Sequence, residues 1–377
     1  MEAHAASVAI STAARKIGKR RVHIRGPFVT SVSATLRGSI DERAGGGYPK
    51  LANPASIRMT YKLNVFDDFH LHGASAPEWN QRYMQMTHGA MRSSLAEVTA
   101  GSLHVFRKWM SERVVQQGCL PGGKICFAVL HGTADGTPRM QGREVRADTL
   151  FVLRGGEEFS LHRPRGMELL AVTFEADEFL RLLEERPLSP PARDLVSRSI
   201  LQGPVQSLQR LRRDLLDTFR HSAPDTDTTA PADITTTPVA SQIIFQAVCD
   251  ILENASGSRQ SIASASASFL VTQCHHIVAR SPDEPPSIEA LCARLRTSRR
   301  TLQSSLRQVS DSTPVHYLRC VRLDAVRKQL LSMQPGEGSI TEAAMSCGFT
   351  HLGHFTEEYK ALFGELPSQT LHSQGTD

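Results

Sequence analysis

Apolar residues recur at helical spacing from residue 287 toward the C terminus. Two short stripes come first, and each is directly preceded by a serine, Ser287 or Ser298, which is a typical helix N-cap residue. The apolar positions are Ile288, Leu291 and Leu295 in the first stripe and Leu302, Leu306 and Val309 in the second. The spacing therefore predicts two short helices joined by a tight turn, which is a helix-turn-helix unit.

A long helix and a second unit of the same kind follow. Thr313-Pro314 predicts a helix start, because proline is favoured at the first helical position, and the apolar pattern continues to about Leu331. Ser339 opens another helix, and Gly348 stands where a left-handed helix stop is needed. The last strong helix has the apolar stripe Phe355, Tyr359 and Phe363, and we expect it to end at Gly364.

The second helix of the first unit has a polar face suited to DNA. We expect Arg299, Arg300, Gln303, Ser304 and Arg307 to contact DNA. Arginine and glutamine side chains form hydrogen bonds with base edges in the major groove. The alternative is an ordinary helix whose solvated face carries arginines.

Further DNA contacts are expected outside that helix. Arg319 on the long helix is a candidate phosphate contact, or else it pairs with an acid. In the second unit the candidates are His351, His354, Thr356 and Lys360. Residues 298–330 have a net charge of +5 and residues 339–365 a net charge of −3. We therefore expect the first unit to supply most of the affinity for phosphates.

These residues resemble a known family. The pattern Ala344-x-x-x-Gly348-Phe349, followed by Phe355, Tyr359-Lys360 and Gly364, is similar to the AraC/XylS transcription regulators. Similarity at 342–353 and 366–372 extends to the ethanolamine-operon regulator branch. That resemblance implies ethanolamine and adenosylcobalamin as effectors, and it implies a cupin-like N-terminal domain. The second recognition helix departs from the family pattern, because Glu357 stands where an arginine is common.

The middle of the chain predicts β structure followed by helices. Short apolar stretches with Gly and Pro turns between them predict an antiparallel barrel or sandwich. The candidate strands are 94–100, 104–110, 125–130, 149–153 and 169–174. Helical spacing begins after residue 176, and it is typical either of a dimerisation helix or of a helix packed on its own barrel. Two more helices are expected at 239–254 and 261–280.

The predicted fold class is a multidomain β + α protein. We predict a basic, disordered tail over 1–58, a cupin-like sensor or dimerisation barrel over 59–175, and a helical region over 176–282. That helical region contains a flexible segment at 223–238, and an all-α double helix-turn-helix domain follows over 283–377. The tail carries a net charge of +7, and its basic cluster at 15–21 is either a DNA contact or, as we prefer, a solvated charge run.

The composition favours a cytoplasmic protein. The sequence has 7 cysteines without a paired spacing, which fits a reduced cytosol, and no apolar run is long enough to cross a membrane. His70-x-His72 with Glu78 resembles a metal site, and Asp68-x-His70-x-x-Gly73 matches a short cobalamin-binding pattern. We attribute both matches to chance, so the sequence predicts neither catalytic residues nor a metal site.

The sequence predicts a DNA-binding transcription regulator of the bacterial nucleoid, and not an enzyme. We expect an effector-responsive activator whose partners are double-stranded DNA, RNA polymerase, a small-molecule effector and a second copy of the chain. The effector-binding residues cannot be named from the sequence. The alternatives are a cupin-type metalloenzyme with an accessory helical domain, and a regulator that is controlled by a partner protein.

Overall fold

The computed structural model describes residues 22–25, 29–36, 59–186, 188–222, 236–257, 262–280, 286–334 and 337–372. Three parts follow one another along the chain: a β domain, a group of helices packed on it, and a C-terminal helical domain. Among the described residues, no helix is both long enough and apolar enough to cross a membrane. The predicted β + α fold class is confirmed.

The β domain consists of antiparallel strands in two sheets. Its strands are β1 Val22–Arg25, β2 Val29–Leu36, β3 Met59–Phe66, β4 Arg82–Gln85, β5 Ser93–Ala100, β6 Leu103–Met110, β7 Val114–Cys119, β8 Lys124–Gly132, β9 Arg139–Met140, β10 Arg143–Glu144, β11 Thr149–Arg154, β12 Glu158–Arg163, β13 Met167–Glu175, β14 Ile200–Gln202 and β15 Ser256–Gly257. The five strands predicted from the sequence are confirmed as β5, β6, β8, β11 and β13, and they lie in the larger sheet.

The two sheets enclose one apolar core and the larger sheet borders another. The order of strands in the larger sheet is β1-β2-β3-β5-β6-β13-β8-β11-β14-β15, and the order in the smaller sheet is β10-β9-β12-β7-β4. Phe106 and Phe151 of the larger sheet share a core with Phe159 and Leu161 of the smaller sheet, so these side chains fill the space between the sheets. Alternation along each strand leaves the opposite face of the larger sheet for helices.

Four helices cover the opposite face of the larger sheet. They are α2 Ala176–Glu184, α3 Pro190–Leu195, α4 Val205–Ser222 and α5 Thr236–Asn254, after a short helix α1 Phe69–Ala74 within the β domain. Leu208, Leu211, Leu215 and Phe219 of α4 are buried in the same core as residues of β5 and β6. The expected apolar stripe of α4 therefore packs on its own barrel. Of the predicted flexible segment 223–238, residues 223–235 lie outside the described residues, and residues 236–238 are instead the first turn of α5.

The structure differs from the predicted disordered tail at residues 22–25 and 29–36. In that stretch β1 pairs with β2, and β2 pairs with β3 along its whole length. The physical reason is that residues 29–36 are rich in the β-branched types Val and Thr, and they extend the exposed edge of β3. The basic cluster at 15–21 lies outside the described residues.

The C-terminal domain consists of helices with defined caps. Its helices are α6 Ile262–Arg280, α7 Ile288–Arg294, α8 Arg299–Ser310, α9 Pro314–Ser332, α10 Ile340–Ser346, α11 Leu352–Phe363 and α12 Pro367–His372. Ser287, Ser298, Thr313 and Ser339 each accept a backbone N–H with the side chain, as N-caps do. Gly348 and Gly364, the predicted stops, have positive φ, and so does Asp311 after α8. The predicted caps and stops are confirmed.

A buried ion pair joins the C-terminal domain to the β domain. The Nε atom of Arg327 on α9 lies 2.6 Å from Oδ2 of Asp68, and both side chains are almost wholly buried. Oδ1 of Asp68 accepts the backbone N–H groups of His70 and Leu71, so this residue also caps α1. Arg327 pairs with Glu365 at 2.8 Å as well. One carboxylate therefore fixes both a helix start and the position of α9.

Further contacts connect the smaller sheet to the C-terminal helices. Met84 and Val115 share a core with residues of α6, α8, α9 and α11. The Gln85 side chain donates to the carbonyl of Leu362 at 2.6 Å, and a ring nitrogen of His316 lies 2.9 Å from the carbonyl of Met86. The C-terminal helices thus pack on the outer side of the smaller sheet as a fourth layer, and α6 belongs to this layer.

We expect Asp68→Asn to destabilise the protein by about 3 kcal/mol, because it leaves the buried Arg327 guanidinium with Glu365 as its remaining acid. Equilibrium urea unfolding measures this change. The matched control is Asp135→Asn at an exposed position, where we expect a change within about 0.5 kcal/mol. Equal stabilities of the two variants would contradict the assigned importance of the junction.

A second contact between α1 and α9 predicts that the free energy of unfolding depends on pH. Nε2 of His70 lies 3.3 Å from Oδ1 of Asp324. Burial lowers the pKa of His70, and so does the charge of Arg327. The negative charges of Asp324 and Asp68 outweigh both effects, so the pKa of His70 is raised. The stabilisation is then complete below the unfolded-state pKa of about 6.5 and is lost as pH rises through the folded-state pKa.

We therefore expect His70→Gln to destabilise the protein more at pH 5.5 than at pH 8.5. Urea unfolding of both proteins at the two pH values gives the difference in free energy. His88→Gln, at an exposed position of the same domain, controls for the general effect of pH. An equal loss at both pH values would show that His70 does not act through its charge.

Candidate nucleic-acid interface

Helix α8 has one buried face and one exposed polar face. Leu302, Leu306 and Val309 are buried against the other C-terminal helices. Ser298 caps the helix by accepting the N–H of Thr301 at 3.0 Å. The exposed face presents all five residues predicted for it, which are Arg299, Arg300, Gln303, Ser304 and Arg307. The structure therefore brings these candidate DNA contacts together on one surface.

The exposed face of α8 is basic and contains no acid. Three arginines lie on it, and none of the twelve residues of α8 is Asp or Glu. Two of the arginines stand in the first turn, where the backbone N–H groups add a partial positive charge. Arg299 lies 3.4 Å from Glu289 on α7, but both side chains are more than two-thirds exposed. An exposed pair of this kind contributes little stability, so a phosphate or a base can replace the acid.

Helix α11 is the corresponding helix of the second unit, and its surface is less basic. Phe355, Tyr359 and Phe363 are buried as predicted, and the side chains of His351, His354 and Lys360 are exposed. His354 lies 3.9 Å from Glu357. The hydroxyl group of Thr356 donates to the carbonyl of Leu352 at 2.9 Å. Thr356 is only half-buried but is already bonded to its own helix.

The arginines of α9 connect α9 to other parts of the molecule. Arg319 lies 3.3 Å from Glu358 on α11 and keeps half of its side chain exposed. Arg322 donates to the carbonyl of Cys347 at 2.8 Å and to that of Gly348, and it lies over the Phe349 ring. These arginines connect α9 to the second helix-turn-helix unit, and Arg319 pairs with an acid, which is the alternative given for it above.

The β domain contacts the C-terminal ends of both recognition helices. The carboxylate of Asp311, directly after α8, lies 3.3 Å from Arg113 and 3.7 Å from Arg139. The N–H of Gly89 lies 3.2 Å from the carbonyl of Ala361 and 3.1 Å from that of Leu362, near the end of α11. The N-terminal turn of α8, with its exposed arginines, carries none of these contacts. The β domain thus holds these helices by the ends opposite to the candidate DNA contacts.

Comparisons with known proteins match the C-terminal domain. A family model described as a helix-turn-helix domain matches residues 291–373. The chain is 41% identical over 85 residues to XylDLEGF operon transcriptional activator 2 of Pseudomonas putida, a match that covers 22% of this chain and 54% of that protein. It is 34% identical over 83 residues to the HTH-type transcriptional activator RhaS of Pectobacterium carotovorum, covering 22% of this chain and 29% of that protein.

The chain therefore spans about half or less of the length of these curated relatives. A probable AraC family transcriptional regulator from Rhodopseudomonas palustris, known from its crystal structure, is 32% identical. That match covers 28% of this chain and 95% of that chain, with a TM-score of 0.25. The C-terminal domain of the chain is therefore similar in sequence to helix-turn-helix transcription regulators.

Proposed function

We propose that the protein is a sequence-specific DNA-binding transcription regulator that activates its target genes. The observation that carries this proposal is the exposed basic face of α8, which contains no acid. In this proposal the N-terminal turn of α8 enters the major groove, and Arg299, Arg300 and Gln303 form hydrogen bonds with base edges. Ser304 and Arg307 lie further along the same exposed face and contact the DNA there.

The two recognition helices contribute unequally in this proposal. The surface of α11 offers His351, His354 and Lys360 beside Glu357, so its electrostatic attraction to phosphates is weaker. Arg319 can contact a phosphate only if its ion pair with Glu358 breaks when DNA binds. We infer that α8 supplies most of the affinity and that α11 extends the recognised sequence.

We also propose three further partners and a location for the protein. The regulator contacts RNA polymerase, acts as a homodimer and works in the bacterial cytoplasm, on the nucleoid. A small-molecule effector acts through the β domain. The resemblance to the ethanolamine-operon branch suggests ethanolamine with adenosylcobalamin, whereas the comparisons named above fall on other regulators.

The competing metalloenzyme function lacks support from the described residues. His70 is paired with Asp324, and Nδ1 of His72 lies 2.7 Å from the hydroxyl of Ser93, so the two imidazoles have different partners. Within the described ranges, no group of three or more His, Cys, Asp or Glu side chains is arranged to hold a metal ion. The relatives reported above are named as transcription regulators.

We expect Arg299→Ala/Arg300→Ala to abolish specific DNA binding without loss of fold. Each lost bidentate base contact costs about 1–3 kcal/mol, so the loss of two raises the Kd for a selected site at least about thirtyfold. The site is first obtained by selection from random duplexes with the full chain, and binding is measured by fluorescence anisotropy.

The matched control for this variant is Arg181→Ala/Arg220→Ala. Both arginines are exposed and lie on α2 and α4, where they pair with Glu185 and Asp217. The control removes the same charge from the molecule, so it separates local contacts from long-range electrostatics. Unchanged binding by the α8 variant, or equal losses in both variants, would overturn the assignment of α8.

We expect His354→Ala/Lys360→Ala to weaken binding less than the α8 variant does, because α11 offers DNA a weaker electrostatic surface. The slope of log K against log salt concentration should fall by about 1, since one permanent cation is removed. Anisotropy titrations at several salt concentrations measure both quantities. A greater loss than in the α8 variant would reverse the proposed division between the helices.

A further inference from the structure

One loop of the β domain completes the C-terminal end of α11. This loop, residues 86–92, follows β4, and its Gly89 N–H lies 3.2 Å from the carbonyl of Ala361 and 3.1 Å from that of Leu362. The buried amide of Gln85, the last residue of β4, donates to the carbonyl of Leu362 at 2.6 Å. The last carbonyls of a helix have no partner within that helix. The β domain therefore supplies hydrogen bonds that the end of α11 needs.

The β domain also holds the C-terminal end of α8. Asp311 ends this helix in a left-handed conformation, with a φ of +50°. Its carboxylate lies 3.3 Å from Arg113 and 3.7 Å from Arg139, and its backbone carbonyl lies 3.5 Å from the Arg113 guanidinium. A cation at this end also interacts favourably with the helix dipole. The two arginines thus bind the last residues of α8 from the side of the β domain.

Two glycines allow the β domain to approach both helix ends closely. Gly364 ends α11 with a φ of +75°, and a Cβ atom there would lie 2.6 Å from the backbone nitrogen of Ala90. Gly142, in the turn between β9 and β10, has a φ of +76°, and a Cβ atom there would lie 3.3 Å from the side chain of Val309 on α8. Backbone and side chains therefore meet at both ends without space for a further side chain.

A short network of hydrogen bonds links the two helix ends through the β domain. The loop 86–92 follows β4, Arg113 precedes β7, and these two strands are paired. The backbone N–H of Arg113 donates to the hydroxyl of Thr87 at 3.0 Å, and its carbonyl accepts the N–H of Met86 at 2.8 Å. The carbonyl of Met86 lies 2.9 Å from a ring nitrogen of His316 at the start of α9. One pair of strands therefore holds the ends of α8 and α11 and the start of α9.

The distance between two recognition helices matters for reading DNA. Helices that read the same face of a duplex lie about one helical turn, or about 34–36 Å, apart. One extra base pair moves the second segment by about 3.4 Å and rotates it by about 35°. Arg319 and Arg322 of α9 reach the middle of α11 and the residues before it. The position of the other end of α11 relative to α8 then depends on the β domain.

We propose that Gln85, Arg113 and the loop 86–92 form a brace that fixes the spacing between α8 and α11. The β domain thereby sets the distance between the two DNA segments that the protein recognises. Gln85 and Arg113 are positioning residues, because they act through the helix ends that lie opposite to the candidate DNA contacts. The inference rests on the proposed function, since it requires both helices to read DNA.

Binding to two duplexes tests the brace. The site is selected from random duplexes with the full-length protein, and the segments read by α8 and α11 are assigned from the base preferences that the variants of these helices lose. A second duplex carries one extra base pair between the two segments. We expect the extra base pair to raise the Kd of the wild-type protein at least about tenfold. We expect Gln85→Met/Arg113→Ala to lose most of this penalty, because the released helices adjust to the longer spacing.

The ratio of the two Kd values separates positioning from stability. A variant that is merely less stable has a smaller binding-competent fraction, which weakens binding to both duplexes by the same factor. The matched control is Arg186→Ala/Gln246→Ala, which removes a half-buried bonded pair of the same residue types on the opposite face of the larger sheet. This control should keep the full penalty, and so should the conservative variant Arg113→Lys.

Two further measurements keep the test decisive. Hydrogen exchange without DNA should show that the Gly89 amide loses protection in Gln85→Met/Arg113→Ala, because this amide donates to the end of α11. Arg113→Ala/Arg139→Ala releases the end of α8 with Gln85 intact, so it tests the brace even if the first variant does not fold. It should lower the penalty as well.

The outcomes distinguish the brace from the proposed function. An unchanged ratio in the brace variants, persistent protection of Gly89, or an equal relaxation in the control would refute the brace alone. A wild-type protein that tolerates the extra base pair would do the same. A selection that returns no preferred sequence would refute both the brace and the proposed function.

Discussion

The ion pair of Asp68 with Arg327 determines how the two domains of this protein are arranged. Both side chains are almost wholly buried, so each charge is stabilised by the other, and Arg327 has Glu365 as a second acid. Asp68 also begins α1, and Arg327 lies in the helix that connects the two helix-turn-helix units. The start of one helix in the β domain is therefore tied to the centre of the C-terminal domain. Separation of the domains would break the ion pair between Asp68 and Arg327, which favours one relative orientation of the domains.

This orientation has consequences for the proposed DNA contacts. The smaller sheet binds the C-terminal ends of α8 and α11, while the N-terminal turn of α8 faces solvent. Because Arg319 and Arg322 bind the second unit to α9, the two recognition helices and the β domain form one connected set of contacts.

The sequence predicted the C-terminal domain well because its determinants are local. Each cap lies within three residues of the N–H that it accepts, and apolar stripes such as Phe355, Tyr359 and Phe363 repeat every four residues. In the β domain, the sequence predicted correctly the long strands that have buried faces. Short strands with polar side chains in the interior, such as β4 and β7, were missed because glutamine and arginine obscure the alternating pattern.

The contacts between the domains could not be predicted from the sequence. Asp68 and Arg327 are 259 residues apart, and nothing in their local patterns indicates that they meet. The pattern around Asp68 matches a cofactor motif by its letters, but in the structure this residue is a helix cap and an ion-pair partner. The placement of α6 with the C-terminal helices likewise depends on tertiary packing. The candidate DNA contacts on α8, by contrast, could be predicted from the sequence because they depend only on which face of that one helix is exposed.

Hydrogen exchange of the full-length protein, alone and bound to a duplex selected from random sequences, tests the central claim most directly. The claim is that α8 is the main DNA-reading element and that the β domain remains docked while it reads. It predicts strong new protection at the N-terminal end of α8, weaker protection at α11, and unchanged exchange in α1 and β4. Protection that avoids α8, or loss of protection in α1 and β4 on binding DNA, would contradict it.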